Sequence, residues 1–449
     1  MKKCWFLLLV CGCTFCVHGQ KLNVAKLDSL FDLMAAENLG MGSIAVARHG
    51  VIEYQRATGY SFTGKEKTVP ATISTVYRIG SETKMFTAVL VFQFIEEGKL
   101  SAEQPLSFFY PTIPNATRIS VQQLLGHRSG LHNYTEGTNF PDWMDQPVSR
   151  DSMLALIVAK GSDAEPGIRA GYSNTNYLLL SYIIEKISDS SYSDLVQERI
   201  VKRAGLKDTR FASRIDEEPN GSASYRFLEN KWVRQKETNP GIHAGAGSLV
   251  STPSDITRFL EALFTYRLLD KKGVEAMTSI TDGYGSGLFP MDHGNHQGFG
   301  HNGRIEEFYS TATYFPRSGL AFSYITNGII YPRADLVDLM LKACFDEPAS
   351  LPYHGFNLLP SRELEQLTGT YKSDNMGLEV VCTIRKNKLV LTIRGKEFQL
   401  TQIGDHYFSD KPAGYFFEFI PASGFLLVKE LDNVYQLEKA PDSSTPSLR

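Results

Sequence analysis

Cysteine is scarce in this 449-residue chain, and most of it lies at one end. Four of the six cysteines, Cys4, Cys11, Cys13 and Cys16, fall within the first twenty residues, which leaves Cys344 and Cys382 for the rest of the chain. Two thiols cannot form a disulfide framework. A single bridge stays open, but two separate buried thiols are the favoured interpretation.

The sequence also has no large excess of positive or negative charge, and it has no long apolar run after residue 20. The 46 Lys and Arg nearly balance the 49 Asp and Glu, and no block of basic residues occurs. This argues against nucleic acid or an anionic membrane as the main partner. After residue 20 no segment reaches the roughly 18 uncharged residues that a stable membrane span needs. We expect a small-molecule or peptide substrate as the partner, and the sequence indicates no oligomeric state.

The first residues, MKKCWFLLLVCGCTFCVHGQ, are typical of a signal peptide. A basic start precedes a short apolar core, and Val17-His18-Gly19 ends it with a small residue, which predicts a signal peptide over residues 1–19. Val10-Cys11-Gly12-Cys13 loosely resembles a lipoprotein cleavage box, so lipid anchoring competes with simple export. The position of Gly19 at the end of the apolar core favours a periplasmic or secreted protein.

Hydrophobic periodicity predicts the fold class. Residues 26–39 have helical spacing, residues 42–60 alternate as a hairpin, and strand patterns return at residues 308–328. The long middle is helical with Gly-rich loops. We therefore predict an α/β (α+β) domain over residues 20–346, an antiparallel sheet flanked by helices with an all-helical insertion. A Pro-containing linker is expected at residues 347–366, and short alternating runs predict a small all-β barrel over residues 367–449.

A serine stands three residues before a lysine in YRIGSETKMF, at the start of an apolar helix pattern. Residues three apart share a helix face, so the amine of Lys84 would lie beside the hydroxyl of Ser81. A helix N-terminus favours an alkoxide, and a buried lysine with a lowered pKa can accept the serine proton. The competing interpretation is that Ser81 caps a helix and Lys84 is an exposed first-turn residue.

Two further motifs occupy loops or element ends. Tyr172-Ser173-Asn174 is the only Tyr-x-Asn of the chain, and a tyrosine near a lysine can act as phenolate or proton relay while an Asn amide orients substrate. The segment 300–304, Gly-His-Asn-Gly-Arg, precedes a strand. There a backbone N–H could face that of Ser81 to form an oxyanion hole, and Gly303 would permit close approach of substrate.

Three such motifs in this order resemble the serine beta-lactamase and penicillin-binding protein-like superfamily, specifically its class C-like serine hydrolases. The segments LLGHRSGL, EPG and GAGSL, beginning at residues 124, 165 and 245, reinforce the resemblance. It implies a nucleophile at Ser81, activation by Lys84 and Tyr172, and substrate or oxyanion contacts from Asn174, His301, Gly303 and Arg304. The C-terminal part resembles the lipocalin-like barrels of some members.

The sequence departs from the family pattern at two places. His301 stands where classical beta-lactamases have a lysine, as in D-alanyl-D-alanine peptidase-like and esterase-like members. Recognition of a substrate carboxylate would then fall to His301, if protonated, or to Arg304, which puts efficient beta-lactam hydrolysis in doubt. His127-Arg128 departs from the usual His-Thr, and we interpret this as a surface change.

No cofactor is expected. His293, His296 and His301 lie close in the sequence, but no cysteine or carboxylate nearby completes a ligand set, so we predict no metal site.

Two functions from different classes remain in view. The first is an exported serine hydrolase that forms an acyl-serine on a small ester, amide or D-amino-acid peptide, with beta-lactam hydrolysis or transacylation as variants. The second is a non-catalytic protein that binds cell-wall peptides or a lipid-like ligand. The presence of Ser81, Lys84, Tyr172 and Asn174 together favours the enzyme.

Overall fold

The structure of the protein is a computed structural model that describes residues 21–64, 67–137 and 139–441. The predicted signal peptide and its four cysteines lie outside the described residues. Cys344 and Cys382 are both free and buried, so the interpretation of two separate thiols is confirmed. Within the described ranges, no helix is both long and apolar enough to cross a membrane.

An N-terminal unit, taken here as residues 21–345, contains eleven α-helices and thirteen strands among its described residues. The helices are α1 Val24–Ala36, α2 Thr83–Glu96, α3 Val121–Leu125, α4 Phe140–Trp143, α5 Arg150–Lys160, α6 Asn174–Ser188, α7 Tyr192–Val196, α8 Lys202–Ala204, α9 Pro253–Phe264, α10 Lys271–Thr278 and α11 Arg333–Cys344. The strands are β1 Gly40–Arg48, β2 Val51–Thr58, β3 Tyr60–Phe62, β4 Val69–Pro70, β5 Tyr77–Arg78, β6 Arg210–Phe211, β7 Tyr225–Leu228, β8 Lys231–Arg234, β9 Leu249–Ser251, β10 Phe289–Pro290, β11 Phe299–Ile305, β12 Phe308–Phe315 and β13 Leu320–Ile329.

A six-stranded antiparallel sheet, in the order β10-β11-β12-β13-β1-β2, organises this unit. Its central strands β12 and β13 are buried along their whole length, because helices cover both faces. On one face Ile44 and Val46 of β1 pack in one core with Phe31 of α1. On the other, Ala47 and Ile325 share a core with helices of the insertion. The predicted fold class is confirmed.

The segment between β2 and β10 is mainly helical, as predicted, and it also carries three small sheets: β3-β4, β5-β9-β6 and β7-β8. Its central helix α2 is buried from Thr83 to Phe94, which accounts for its apolar character all round. The helical pattern predicted a start at Ser81. In the structure a 3-10 turn, Gly80–Glu82, precedes α2, so Ser81 lies just ahead of the α-helix.

The C-terminal part forms a nine-stranded antiparallel sheet. Its strands are β14 Gly369–Ser373, β15 Leu378–Arg385, β16 Lys388–Ile393, β17 Lys396–Gln399, β18 Thr401–Gly404, β19 Tyr407–Asp410, β20 Tyr415–Ile420, β21 Phe425–Lys429 and β22 Val434–Lys439. The two end strands of the sheet, β17 and β18, are consecutive in the chain, so the sheet nearly closes into a barrel around its own core. A short helix, α12 Ser361–Gln366, lies within the predicted linker.

The outer face of this barrel packs on the N-terminal unit. Phe416 and Ile403 belong to the same apolar core as Tyr331 and the residues of α11, and the rings of Phe416 and Tyr331 lie 5.0 Å apart. The neighbouring Phe417 points to the opposite face of β20, into the barrel's own core. The two units therefore share a hydrophobic interface and do not merely follow one another along the chain.

We predict that Phe416→Ala, made in the barrel, destabilises the N-terminal unit. Removing a fully buried phenylalanine costs about 3–5 kcal/mol. Trp143 and Trp232 both lie in the N-terminal unit, so tryptophan fluorescence during denaturation of the mature chain reports that unit. Phe417→Ala is the matched control, because it removes an equally buried ring from the barrel interior alone. Equal shifts of the tryptophan transition in both variants would contradict a specific interface role for Phe416.

Candidate active site

Ser81 lies in the 3-10 turn that joins β5 to α2, and its side chain is partly exposed. The competing interpretation required the Ser81 hydroxyl to cap the helix, but the structure shows no capping hydrogen bond from it. Gly80, immediately before it, has φ of +50°, and a Cβ at that position would lie 3.0 Å from the backbone nitrogen of Arg304. The turn therefore places the backbone around Ser81 directly against strand β11.

The side chain of Lys84 is fully buried one helical turn from Ser81. Its Nζ donates hydrogen bonds to Ser81 Oγ at 2.9 Å, to Asn174 Oδ1 at 2.8 Å and to the carbonyl oxygen of Ala246 at 2.7 Å. Burial lowers the pKa of Lys84 well below its ordinary value, because removal from water disfavours the ammonium form. The alternative of an exposed first-turn lysine is wrong.

Tyr172 approaches the same hydroxyl from the loop before α6. Its OH donates to Ser81 Oγ at 2.7 Å, and Lys84 Nζ lies 4.9 Å from the centre of its ring. Burial raises the pKa of Tyr172 above the ordinary tyrosine value, against the opposing effect of its hydrogen bond to Ser81. The phenol is therefore protonated in the free protein, which favours the proton-relay role over the phenolate.

Asn174 is fixed on three sides. Besides accepting from Lys84, it donates through Nδ2 to Thr135 Oγ1 at 3.0 Å and through its backbone nitrogen to Asn133 Oδ1 at 3.1 Å. The Tyr172-Ser173-Asn174 motif is thus in direct contact with Lys84 through Asn174, 90 residues away in sequence, and with Ser81 through Tyr172. The sequence indicated neither Asn133 nor Thr135 as partners.

His127 supports the loop that carries Tyr172. The sequence did not lead us to expect this role. The ring centre of His127 lies 4.6 Å from that of Tyr172, and its Nδ1 accepts from the Ser173 backbone nitrogen and from Asn176 Nδ2, each at 3.2 Å. Burial lowers the pKa of His127, so the ring is neutral. The sequence feature that could have indicated this role is the segment LLGHRSGL, which contains His127 and resembles the family pattern.

The interpretation of His127-Arg128 as a surface change is wrong for His127, whereas Arg128, the residue that departs from the family pattern, is partly exposed. His127 is buried, and the backbone there is left-handed, with φ of +55°. The Arg128 guanidinium pairs with Asp282 and donates to the carbonyl oxygen of Gly167, and the Gly167 nitrogen donates back to the Arg128 carbonyl at 2.8 Å. Both residues hold loops beside the site together.

Strand β11 carries His301, Gly303 and Arg304 past the site. His301 is buried against Phe289, with ring centres 4.4 Å apart, and burial together with the charge of Lys84 lowers its pKa to about 3. His301 is therefore neutral across the physiological range and cannot replace the cation that a lysine supplies there. Within the segment 300–304, Arg304 is therefore the residue that carries a charge.

The backbone at Gly303 packs closely on the segment that leads to Ser81. A Cβ at Gly303 would lie 2.0 Å from the carbonyl oxygen of Ile79 and 2.4 Å from Ser310 Oγ, far inside contact distance. This requires glycine and keeps β11 against the turn of Ser81. The side chain of Arg304 points outward, where its Nη1 lies 3.2 Å from Asp432 Oδ2 of the barrel.

A buried carboxyl next to the nucleophile position was also missed. Glu82 is fully buried, and neither of its carboxyl oxygens has a hydrogen-bond partner among the described residues. The nearby Ser310 hydroxyl donates instead to the carbonyl oxygen of Ile79 at 2.9 Å. Burial raises the pKa of Glu82 well above its ordinary value, which keeps this side chain neutral.

The histidines considered for a metal do not form one cluster with a shared ligand geometry. His293 Nε2 lies 3.0 Å from Glu347 Oε2 and His296 Nε2 lies 3.7 Å from Glu347 Oε1, whereas His301 contacts Phe289. In the part of the chain that the structure describes, no three His, Cys, Asp or Glu side chains are arranged to hold a metal ion.

We predict that Gly303→Ala slows the covalent labelling of Ser81 by a fluorophosphonate. It should also lower the free energy of unfolding by roughly 1–3 kcal/mol, because the added methyl meets a backbone carbonyl that cannot move freely. Gly171→Ala is the matched control: it lies next to Tyr172, and no atom lies within 4 Å of the position that its added methyl would take. Labelling rates and thermal midpoints of both variants check this. Equal behaviour of the two variants would contradict the close packing at Gly303.

The lowered pKa of Lys84 predicts the pH dependence of acylation. The neutral amine is the form that accepts a proton, so the rate falls as the pH drops through the lowered pKa of Lys84. A pH profile of Ser81 labelling measures this midpoint. An acid limb centred near the ordinary lysine value of about 10.4 would disprove a depressed pKa. Lys84→Arg retains a cation that does not deprotonate, and we expect it to abolish labelling.

Two bacterial proteins illustrate what this chain is similar to. PbpX, a penicillin-binding protein of Bacillus subtilis, is 27% identical over 259 residues, which cover 57% of this chain. A teichoic acid D-alanine hydrolase of Staphylococcus aureus is 27% identical over 244 residues, which cover 54%. The chain spans 64% and 58% of the lengths of these two relatives.

Solved structures give the same fold. The D-amino acid amidase of Ochrobactrum anthropi, in complex with L-phenylalanine amide, superimposes with a TM-score of 0.63 at 27% identity, over 71% of this chain and 97% of that one. The octameric penicillin-binding protein homologue of Pyrococcus abyssi has a TM-score of 0.66 at 22% identity over 93% of this chain and 100% of that one, which supports the fold alone. The family model described as beta-lactamase matches residues 28–344. The chain therefore belongs to the beta-lactamase family of serine hydrolases.

Proposed function

We propose that the protein hydrolyses small D-aminoacyl esters or amides, including D-amino-acid peptides, through an acyl-serine on Ser81. The observation that carries this proposal is the double contact of Ser81 Oγ, which accepts hydrogen bonds from Lys84 Nζ at 2.9 Å and from Tyr172 OH at 2.7 Å. A hydroxyl that merely packs has no need of a buried amine and a phenol together. Export to the periplasm or the medium follows from the predicted signal peptide and is part of the proposal.

Neutral Lys84 has two N–H groups, enough for Asn174 and Ala246, so its hydrogen bond with Ser81 reverses and Oγ donates to Nζ. In the acylation step this amine accepts the proton of the Ser81 hydroxyl as Oγ attacks the substrate carbonyl carbon. The backbone N–H groups of Ser81 and Arg304 receive the negative charge that forms on the carbonyl oxygen. Gly80 and Gly303 support this assignment, because they hold the two backbones within contact distance. As the tetrahedral intermediate collapses, the proton on Lys84 passes through Tyr172 to the leaving group.

Deacylation uses the same groups in reverse order. Lys84 is neutral again once the leaving group has taken the proton, so it accepts a proton from water as water attacks the acyl-serine. The proton then returns to Ser81 Oγ, the acid is released and the free enzyme is restored. Tyr172 stays protonated at rest and passes protons in both steps, as its raised pKa requires. An acceptor alcohol or amine in place of water would give transacylation.

The substrate class is supported by the relatives and by the site. The similar proteins of known name include a D-amino acid amidase and a teichoic acid D-alanine hydrolase, and both names describe hydrolysis that involves a D-amino acid. The neutral His301 argues against beta-lactams as the main substrates, because a lysine cation at this position is what the classical enzymes have. Esterase and D,D-peptidase activities both fall within the proposal.

The test is covalent labelling of the mature chain. Intact-mass and peptide analysis after incubation with a fluorophosphonate should find one adduct on Ser81, absent in Ser81→Ala, together with turnover of p-nitrophenyl esters or D-alanyl p-nitroanilide. We expect Ser81→Ala to fold, because Lys84 Nζ keeps its hydrogen bonds to Asn174 and Ala246 when the Ser81 hydroxyl is removed. Ligand binding that survives in Ser81→Ala, with no adduct and no turnover in the wild type, would establish the non-catalytic binding protein instead.

A further inference from the structure

The two backbone N–H groups assigned to the oxyanion hole lie next to different sheets. Ser81 follows β5, which belongs to the small β5-β9-β6 sheet, whereas Arg304 is a residue of β11 in the six-stranded sheet. In the part of the chain that the structure describes, no strand pairing joins β5 to β11. The relative position of the two N–H groups is therefore set by contacts across a joint between two sheets, without a shared backbone ladder.

One side-chain hydrogen bond crosses this joint beside the two backbones. Ser310 Oγ of β12 donates to the carbonyl oxygen of Ile79 at 2.9 Å, in the space that a side chain at Gly303 would fill. The bond holds β12, and with it the paired strand β11, against the residue before Gly80. A single neutral hydrogen bond contributes little net free energy, so it is a weak restraint on two sheets.

A second, charged link joins the same two chain segments. Arg78, the last residue of β5, stands three positions before Ser81. Glu306, in the turn after β11, stands two positions after Arg304. Arg78 Nη1 lies 3.3 Å from Glu306 Oε1, and the two side chains are only 3% and 2% exposed. A buried ion pair therefore connects the segments that carry the two N–H groups.

The backbone of Thr238 holds both members of this ion pair. Its nitrogen donates to Glu306 Oε1 at 2.7 Å, and its carbonyl oxygen accepts from Arg78 Nη1 at 2.6 Å. The other end of the guanidinium is also bound, since Arg78 Nη2 donates to Glu237 Oε1 at 2.5 Å. The guanidinium and the carboxylate are thus fixed in one orientation, because each is held by a backbone group as well as by the other.

Stability alone does not account for this ion pair. Glu306 Oε2 and Arg78 Nε are buried and have no hydrogen-bond partner among the described residues. The desolvation of a buried ion pair offsets much of its attraction, so a pair with unpartnered polar atoms contributes little net stability. Glu306 also has φ of +49°, a left-handed conformation that is strained for a residue other than glycine. Both features indicate a pair that fixes geometry and does not maximise stability.

We propose that Arg78 and Glu306 are positioning residues for the oxyanion hole: their ion pair holds the N–H groups of Ser81 and Arg304 at the separation that a tetrahedral oxyanion requires. This inference rests on the proposed function, since the oxyanion forms only during acyl transfer at Ser81. The pair acts through the backbone. Its effect belongs to the transition state, so its loss slows the chemical step without weakening the binding that precedes it.

The test is saturation kinetics of Ser81 labelling by a fluorophosphonate in Glu306→Ala, made in the mature chain. We expect the maximal labelling rate to fall about 10- to 100-fold, because a small displacement of an oxyanion donor weakens its contact with the transition state. The fluorophosphonate concentration that gives the half-maximal rate should stay the same. Glu306→Gln should keep most of the rate, because its amide oxygen can accept from Arg78 and Thr238 as Oε1 does.

Glu218→Ala is the matched control. The side chain of Glu218 is 5% exposed and pairs with Arg210 of β6. Arg210 flanks Val250 of β9 on one side, as Arg78 of β5 flanks it on the other. The control therefore removes a buried carboxylate from an arginine of the same small sheet, at the edge opposite β5. We expect its maximal labelling rate to equal that of the wild type, and the thermal midpoints of both variants show whether lost stability explains the rates.

A wild-type maximal rate in Glu306→Ala, or an equal loss of rate in Glu218→Ala, would overturn the proposal. A higher half-maximal concentration at an unchanged maximal rate would also overturn it, because Glu306 would then act on binding. In each of these cases Ser81 is still labelled, so the proposed function stands. Absence of labelling in the wild type would reject the proposed function and this inference together.

Glu306→Asp takes the place of Glu306→Ala if the alanine variant does not fold. It keeps the negative charge, but its side chain is one methylene too short to reach Arg78 and Thr238 together. The same loss of maximal rate at an unchanged half-maximal concentration is expected, and a wild-type rate in Glu306→Asp would contradict the positioning role.

Discussion

The burial of one amine organises the active site. Lys84 is fully buried, and its Nζ reaches Ser81 in the 3-10 turn ahead of α2, Asn174 at the start of α6 and the carbonyl oxygen of Ala246, 162 residues on. A buried ammonium is costly unless it is fully hydrogen-bonded, and a buried neutral amine still needs acceptors. The requirement to satisfy this one side chain therefore fixes α2, the tyrosine loop and the segment at Ala246 relative to each other.

Several buried titratable side chains near Lys84 are held in their neutral forms. His127, His243 and His301 all have lowered pKa values, with burial as the first cause and the lysine charge as a second. Tyr172 and Glu82 are held in their protonated forms by burial, which raises the pKa of each. Each of these groups is therefore neutral, and burial drives the amine of Lys84 toward its neutral form as well.

Local rules explain how much the sequence could predict. The proximity of Ser81 and Lys84 follows from helix spacing, and the alternation of the strands gave the sheet class and the C-terminal barrel. The meeting of Tyr172 with Ser81 could be predicted only through the family resemblance, because contact across 91 residues depends on tertiary packing. His127 was misinterpreted for the same reason: its burial is produced by the rings of Tyr172 and Tyr177, which no local pattern contains. Glu82 could not be identified, since a charged residue in a first turn is ordinarily solvated.

Arg304 shows how one residue can serve two independent purposes. Its backbone is fixed by the ladder with Tyr309 of β12 and by contact with Gly80, whatever side chain it carries. Its guanidinium points outward and pairs with Asp432, a turn residue of the barrel. The main chain at this position therefore packs against the turn that carries Ser81, whereas the side chain connects the N-terminal unit to the barrel. A substitution at position 304 that preserves the strand can then change how firmly the barrel is attached while the backbone beside Ser81 stays in place.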